Sequence, residues 1–197
     1  MKKTAGFSPL ILCALLFLTG IVMGALSLKV LSVNEKAELV SYLEVFMRGL
    51  RSPGIEPGIV FRLSLAQNLK AAAMIWAFGL SIIGAPLCCV MLMIRGFVLG
   101  FSASFVIREV SPGGALMFIA GMLPQNIISV PVMVLLATFS LTFSLVLFHE
   151  RPWTYGGLWK KIASYTWKCA VLTLLFVLSS LIEAYVSPLL LIRASGV

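Results

Sequence analysis

Apolar runs of about twenty residues alternate along this chain with short polar stretches. Ser8 to Leu28 carries no charge, and Ile127 to Phe148 is a second uncharged run. Cys169 to Ile192 is a third, flawed only by Glu183. A helix that spans a bilayer takes about 20 apolar residues. The pattern between residues 71 and 125 is less regular. Ala71–Ile94 is interrupted by Gly79, Gly84 and Pro86, Arg95 precedes Gly96–Ile107, and Arg108-Glu109 closes that run. Gly113–Leu123 is a short apolar piece that ends on Pro124-Gln125-Asn126. The pattern predicts an all-α, polytopic integral membrane bundle of about five spans with a broken or re-entrant middle. It forms one membrane domain over residues 1–197.

Two partitions of the middle satisfy the pattern. In one, Ala71–Ile94 is a single span and Gly96–Leu123 crosses as a broken element. In the other, a break at Gly84–Pro86 separates a short span from a longer one, Pro86–Ile107, with Arg95 inside the membrane. The first buries Arg108-Glu109 and the second buries Arg95, and either charge is costly at membrane depth. Both give five crossings.

Residues 32–69 are the one sizeable polar insertion, an external amphipathic loop between the first and second spans. Ser32 and Glu35 have capping-box spacing, with Asn34 a rival cap. Leu39, Leu43, Phe46 and Leu50 then recur at helical intervals and form an apolar stripe that suits a partner protein or the bundle itself. Pro53-Gly54 and Pro57-Gly58 break the chain, and a second short helix is expected from near Ile59.

Charge fixes the expected orientation. Lysine- and arginine-rich short loops stay in the cytoplasm. Lys2 and Lys3 precede the first span, read as retained, and Arg151, Lys160, Lys161 and Lys168 face only Glu150 in the 149–168 loop. The 32–69 loop balances Lys36, Arg48, Arg51 and Arg62 with Glu35, Glu38, Glu44 and Glu56. An N-terminus inside and a C-terminus outside follow. The net charge of +8 is therefore an orientation signal and makes no case for nucleic acid.

Composition narrows the chemistry. The chain is 60% hydrophobic and 11% charged, which excludes a water-soluble globule, where about 25% charged is usual. It has no Asp and one His, His149, at a boundary far from any span centre. Cys13, Cys88, Cys89 and Cys169 lie in apolar runs without a CxxC or a Cys/His cluster, so neither a metal nor a disulfide framework is suggested. A serine nucleophile such as Ser102 would need a base within reach. Neither an HExxH helix nor a phosphate loop is present. No cofactor and no catalytic residue are expected.

Three features remain as candidate contact sites. Gly20-xxx-Gly24 and Gly96-xxx-Gly100 are small-residue ridges that let helices approach closely, within the chain, with a partner, or in a homo-oligomer. Glu183, near the expected bilayer midplane, must be protonated, paired or wet. It serves either as a tie within the bundle, to Arg95 or to Gln125 and Asn126, or as part of a proton or ion path. Gln125 and Asn126 can satisfy backbone freed by Pro124.

Trp76-Ala-Phe-Gly-Leu-Ser-Ile-Ile-Gly-Ala-Pro86 and Arg95-Gly-Phe-Val-Leu-Gly100-Phe101 resemble the bacterial stage II sporulation protein M family. Leu123-Pro-Gln-Asn126 with Pro131, and Ile182-Glu-Ala-Tyr-Val-Ser-Pro188, extend the resemblance over nearly the whole chain. The wider superfamily tends to carry Pro-His-Gly and a Glu where this chain has Pro124-Gln125-Asn126 and Ser129, which points to the sporulation branch. The resemblance implies a non-enzymatic membrane scaffold for forespore engulfment. It also implies recruitment of stage II sporulation proteins D and P, membrane-anchored peptidoglycan-degrading enzymes, to the septum. The alternative is a channel or permease-like transport subunit using Glu183 and the broken middle helices.

Overall fold

A computed structural model describes residues 8–51, 57–81, 83–109, 113–150 and 157–194, with side chains for all but 46–51, Pro57, 149–150 and 191–194. Lys2 and Lys3, Pro53-Gly54, and the side chains of Phe46, Leu50 and His149 lie outside the described residues. The elements are α1 (Pro9–Ser27), α2 (Val33–Arg51), α3 (Pro57–Gly79), α4 (Gly84–Glu109), α5 (Gly114–Gly121), α6 (Leu123–Glu150), α7 (Leu158–Leu181), a π-helical segment (Ile182–Val186) and α8 (Ser187–Ala194). The described residues form helices and turns, and the chain is an all-α membrane bundle.

Helix directions follow from cross-helix contacts. The ridges of α1 and α4 interlock: Gly20 faces Met93 and Phe97, Gly24 faces Phe97 and Phe101, Gly96 faces Phe17, and Gly100 faces Ile21. Residue numbers rise together on both helices, so the pair is parallel. Glycine is required here because a Cβ at any of these four positions would meet the facing helix backbone inside 3.0 Å. Close backbone approach is what small residues contribute in a membrane, where lipid is as apolar as the side chains. Ser104 Oγ extends the clamp by donating to the Ala25 carbonyl at 3.4 Å. The two ridges are thus used on each other, within one chain.

Ser140 Oγ donates to the Ile75 carbonyl at 2.6 Å and Ser144 Oγ to the Ser81 carbonyl at 2.7 Å, which makes α3 and α6 parallel. Ala85 N–H donates to Ser144 Oγ at 3.1 Å, and Cys88 lies 2.9 Å from Ser140 Oγ, so α4 and α6 are antiparallel. α7 runs against α3, since Trp76 Nε1 donates to Thr166 Oγ1 and Asn68 Nδ2 to Ser180 Oγ, both at 3.1 Å. The five long helices therefore alternate in chain order, with α1, α4 and α7 one way and α3 and α6 the other. The start of α1 and the α6–α7 connection share one end, here the base. α2 and the start of α3 lie at the other end, the crown.

The break between α3 and α4 spans Leu80 to Ile83, which selects the second partition and overturns the first. Arg95 is inside the bundle, and Glu109 is at the crown, where Lys36 Nζ approaches its Oε1 at 3.7 Å. Among the described residues, four helices (α1, α4, α6 and the α7-to-α8 run) are long and apolar enough to cross a membrane. α3 is too polar to qualify, yet the parallel α1 and α4 require the chain to return between them, and α3 makes that return. Its 23 residues extend about 34 Å. The short helix expected near Ile59 is the first part of α3, so residues 57–69 join the bundle and the polar excursion shrinks to α2 and its flanks.

The breaks are satisfied by side chains, as unpaired backbone at membrane depth must be. Ser144 serves both sides of the α3–α4 break, accepting an orphan N–H at the start of α4 and donating to a carbonyl of the turn. Tyr165 Oη donates to the Trp76 carbonyl at 2.9 Å. The middle is broken again at Met122. Pro124 falls in the first turn of α6, where its missing N–H costs nothing. Asn126 Nδ2 donates to the Met122 carbonyl at 2.6 Å, whereas the carbonyl that Pro124 leaves without its helical donor is that of Ala120.

At the crown, Ser32 caps α2 as its spacing predicts, and Asn34 is not the cap. Ser32 N–H donates to Glu35 Oε2 at 2.8 Å, and Glu35 N–H donates back to Ser32 Oγ at 3.4 Å. The backbone bond from Ser32, then its hydroxyl, hold the Glu35 carboxyl below the usual carboxylate range. A lowered folded pKa stabilises above the unfolded value, about 4.3, and the benefit disappears as pH falls through the folded pKa. Amide exchange at residues 32–36 is therefore expected to quicken on acidification through the carboxylate range. Glu35→Gln should remove that pH dependence, and an unchanged profile would refute the capping role.

Candidate functional site

A polar layer crosses the crown-side half of the bundle. On α3, Ser64 and Asn68 stand one turn apart and face inward. On α7, the π segment and α8, Ser179, Glu183 and Ser187 recur every fourth residue, beside Ser180. Ser64 Oγ donates to Glu183 Oε2, joining residues 119 apart in sequence. Ser179 Oγ donates to the Gln125 carbonyl at 3.0 Å and Ser187 Oγ to Gln125 Oε1 at 3.4 Å. Ser64, Ser179, Ser180 and Ser187 are buried, and among the described residues no buried side-chain polar atom lacks a partner. Buried polar groups in a low-dielectric interior are retained when each has its bond.

Glu183 is therefore tied, to Ser64 rather than to Arg95, Gln125 or Asn126. It sits in the π-helical segment, where Ser187 N–H reaches back to the Ile182 carbonyl. Such widened turns interrupt α-helices where a side chain must be re-aimed. Pro188 follows and cannot donate to Ala184, so the ladder is already weakened at this point. Arg95 Nη2 donates to the Gln67 carbonyl at 3.4 Å, a long bond. Among the described residues Arg95 has no carboxylate within ion-pair distance, although the Glu183 charge acts on it. A cavity of about 130 Å³ lies beside Arg95, lined by Asn68, Arg95, Ser102, Asn126 and Ser129 among apolar side chains. It has room for a few waters.

The other face of α3 is unusual. Arg62, Gln67 and Lys70 are exposed along it with Leu63, Leu69 and Met74. Gln67 and Lys70 lie near the middle of a helix that packs on the membrane-crossing α4, α6 and α7. Polar side chains at such depth ordinarily face the bundle or water.

α2 is the second unshared surface. Among the described residues it packs on no neighbouring helix to form an interface. Leu39 and Leu43 are half-exposed and Tyr42 and Val45 more so, and Lys36 pairs with Glu109 at the end of α4. An exposed ion pair of this kind contributes little.

No group of three His, Cys, Asp or Glu side chains gathers to hold a metal among the described residues. Cys13, Cys88 and Cys169 are buried in the core, and Cys89 is half-buried. Cys88 lends its S–H to Ser140, whose own proton goes to the Ile75 carbonyl.

The family model described as stage II sporulation protein M matches residues 13–188. The chain belongs to that family. The stage II sporulation protein M match runs from Cys13 on α1 to Pro188 on α8, so it takes in the glycine clamp, α2 and the whole polar layer. No curated protein and no solved structure matches the chain.

Within this family member, sequence reasoning located Glu183, Gln125, Asn126 and the four glycines. It missed Ser64, Asn68, Ser179 and Ser187. The available signal was the Ser179–Glu183–Ser187 spacing, which puts three polar groups on one helical face. It missed the α3 outer face because residues before Ala71 were assigned to the loop.

Proposed function

We propose that this member of the stage II sporulation protein M family is a non-enzymatic membrane scaffold in forespore engulfment. It recruits stage II sporulation proteins D and P, peptidoglycan-degrading enzymes with membrane anchors, to the septum. The base faces the cytoplasm, where Lys160, Lys161 and Lys168 are retained, and the crown faces outward. The observation that carries this reading is the exposed polar stripe of α3 at membrane depth. Arg62, Gln67 and Lys70 are poorly solvated by lipid tails, and the anchor helix of a partner supplies the missing acceptors. α2 lies on the outer side, with the half-exposed Leu39 and Leu43 available to the partner's wall-facing domain. The polar layer through Glu183 holds α3 in the orientation that presents the stripe.

Tagged protein solubilised in mild detergent is expected to co-purify both enzymes. Gln67→Leu with Lys70→Leu should reduce capture about tenfold or more while the scaffold still accumulates, given about 1 kcal/mol for each interhelical polar contact. Glu183→Gln keeps an acceptor for Ser64 and should retain both accumulation and capture. Unchanged capture by the α3 double variant, or normal septal placement of both enzymes without this protein, rejects the reading.

A further inference from the structure

A basic groove opens at the base between α6 and α7, away from every surface used above. It encloses about 400 Å³ and is lined by Phe139, Thr142, Phe143, Val146, Lys160, Lys161, Ser164, Tyr165 and Lys168, with no carboxylate among them. Lys160 and Lys161 lie in the first turn of α7, Ser164 one turn on, and Lys168 a further turn deeper. Helical spacing keeps these residues along one side of α7. The floor is aromatic, since the Phe143 and Tyr165 rings stack at 4.4 Å. Lys168 Nζ lies over the Phe139 ring, 5.8 Å from its centre.

Packing register sets the depth. The Phe143–Tyr165 stack levels Lys160 and Lys161 with the last turns of α6, near Phe148, where its apolar run ends. Lys168 is about 11 Å deeper, within the apolar band. The groove is thus cationic at headgroup depth and apolar below it, and lipid is the medium that surrounds it.

We propose that this groove holds one anionic phospholipid. The phosphate sits against Lys160, Lys161 and the Ser164 hydroxyl, and Lys168 extends toward it from below, as long basic side chains do near helix ends. One acyl chain lies over Phe139, Phe143 and Val146. Basic pockets between spans on the positive-inside face suit such headgroups, and each lysine adds to the preference for them. The lipid would bridge α6 and α7 at the base.

The test uses the purified full-length protein, reconstituted in nanodiscs of equal parts phosphatidylglycerol and phosphatidylcholine. It is then released into the gas phase, and the bound lipids are counted by mass. The wild-type protein is expected to retain one phosphatidylglycerol at least about tenfold in preference to phosphatidylcholine. K160Q/K161Q/K168Q should bring the two lipids within about twofold, whereas K160R/K161R/K168R should keep the preference. Equal retention of the two lipids by the wild-type protein overturns the proposal, even where the glutamine variant fails to fold. So does a glutamine variant that keeps the preference. Displacement of the lipid by millimolar glycerol phosphate would mean that the site reads a free phosphate ester and not a lipid, and would overturn it too.

Discussion

Gly96→Val combined with Gly100→Val is expected to lower the unfolding midpoint of the purified protein by about 10 °C, or to prevent its accumulation. The two positions face the Phe17 and Ile21 carbonyls of α1, and a Cβ at either would lie inside 3.0 Å of that backbone. Nothing flexible is available to yield, because the obstructing atoms are main chain. The helices must separate along the whole clamp, which loses the Ser104 bond and the dispersion contacts between them. Overpacking costs about 1–3 kcal/mol at each site, and in a domain of this size each kcal/mol moves the midpoint by about 2–4 °C. Gly58→Ala is the control, since nothing lies within 4 Å of its added carbon. It should change stability by no more than about 0.5 kcal/mol. A double variant that melts with the wild-type protein would show that α1 and α4 do not pair in this register.

Ser144→Ala is the second large effect. The hydroxyl accepts from Ala85 N–H and donates to the Ser81 carbonyl, and the residue is fully buried. Alanine fits the space but leaves the Ala85 N–H unpaired, while the Ser81 carbonyl keeps the Gly84 N–H at 3.1 Å. A buried orphan of this kind costs about 1–3 kcal/mol. Hydrogen exchange should rise selectively around Leu80–Pro86 while the α1–α4 clamp stays protected. Thr142→Val, two residues away, removes a hydroxyl that only bonds back to the Thr138 carbonyl of its own helix, and should be nearly neutral. If the two substitutions behave alike, the break is being satisfied by something other than Ser144.

Both predictions concern residues that were visible as sequence patterns but whose partners were not. The Gly20 and Gly96 ridges were readable because small residues four apart lie on one face of any helix. That the ridges meet each other, and meet in parallel, depends on two segments some seventy residues apart. Ser140-xxx-Ser144 has the same small-residue spacing as those ridges. It is a bonding device for a helix break, a role defined only when that break is brought alongside.

The sequence by itself determined what depends on neighbours along the chain. Apolar run length set the membrane class and most spans, Ser32 and Glu35 set the start of α2, and the distribution of lysines set the expected orientation. These are local because helix formation and bilayer partitioning act on contiguous segments. Tertiary structure alone decided which partition holds, that α3 crosses despite Arg62 and Lys70, and that Glu183 bonds to Ser64. Hydropathy averages a helix around its axis, so it cannot tell inward Ser64 and Asn68 from outward Gln67 and Lys70. Direction and partnership come from packing between distant segments, and for this chain they turn a polar loop boundary into the fifth helix of the bundle.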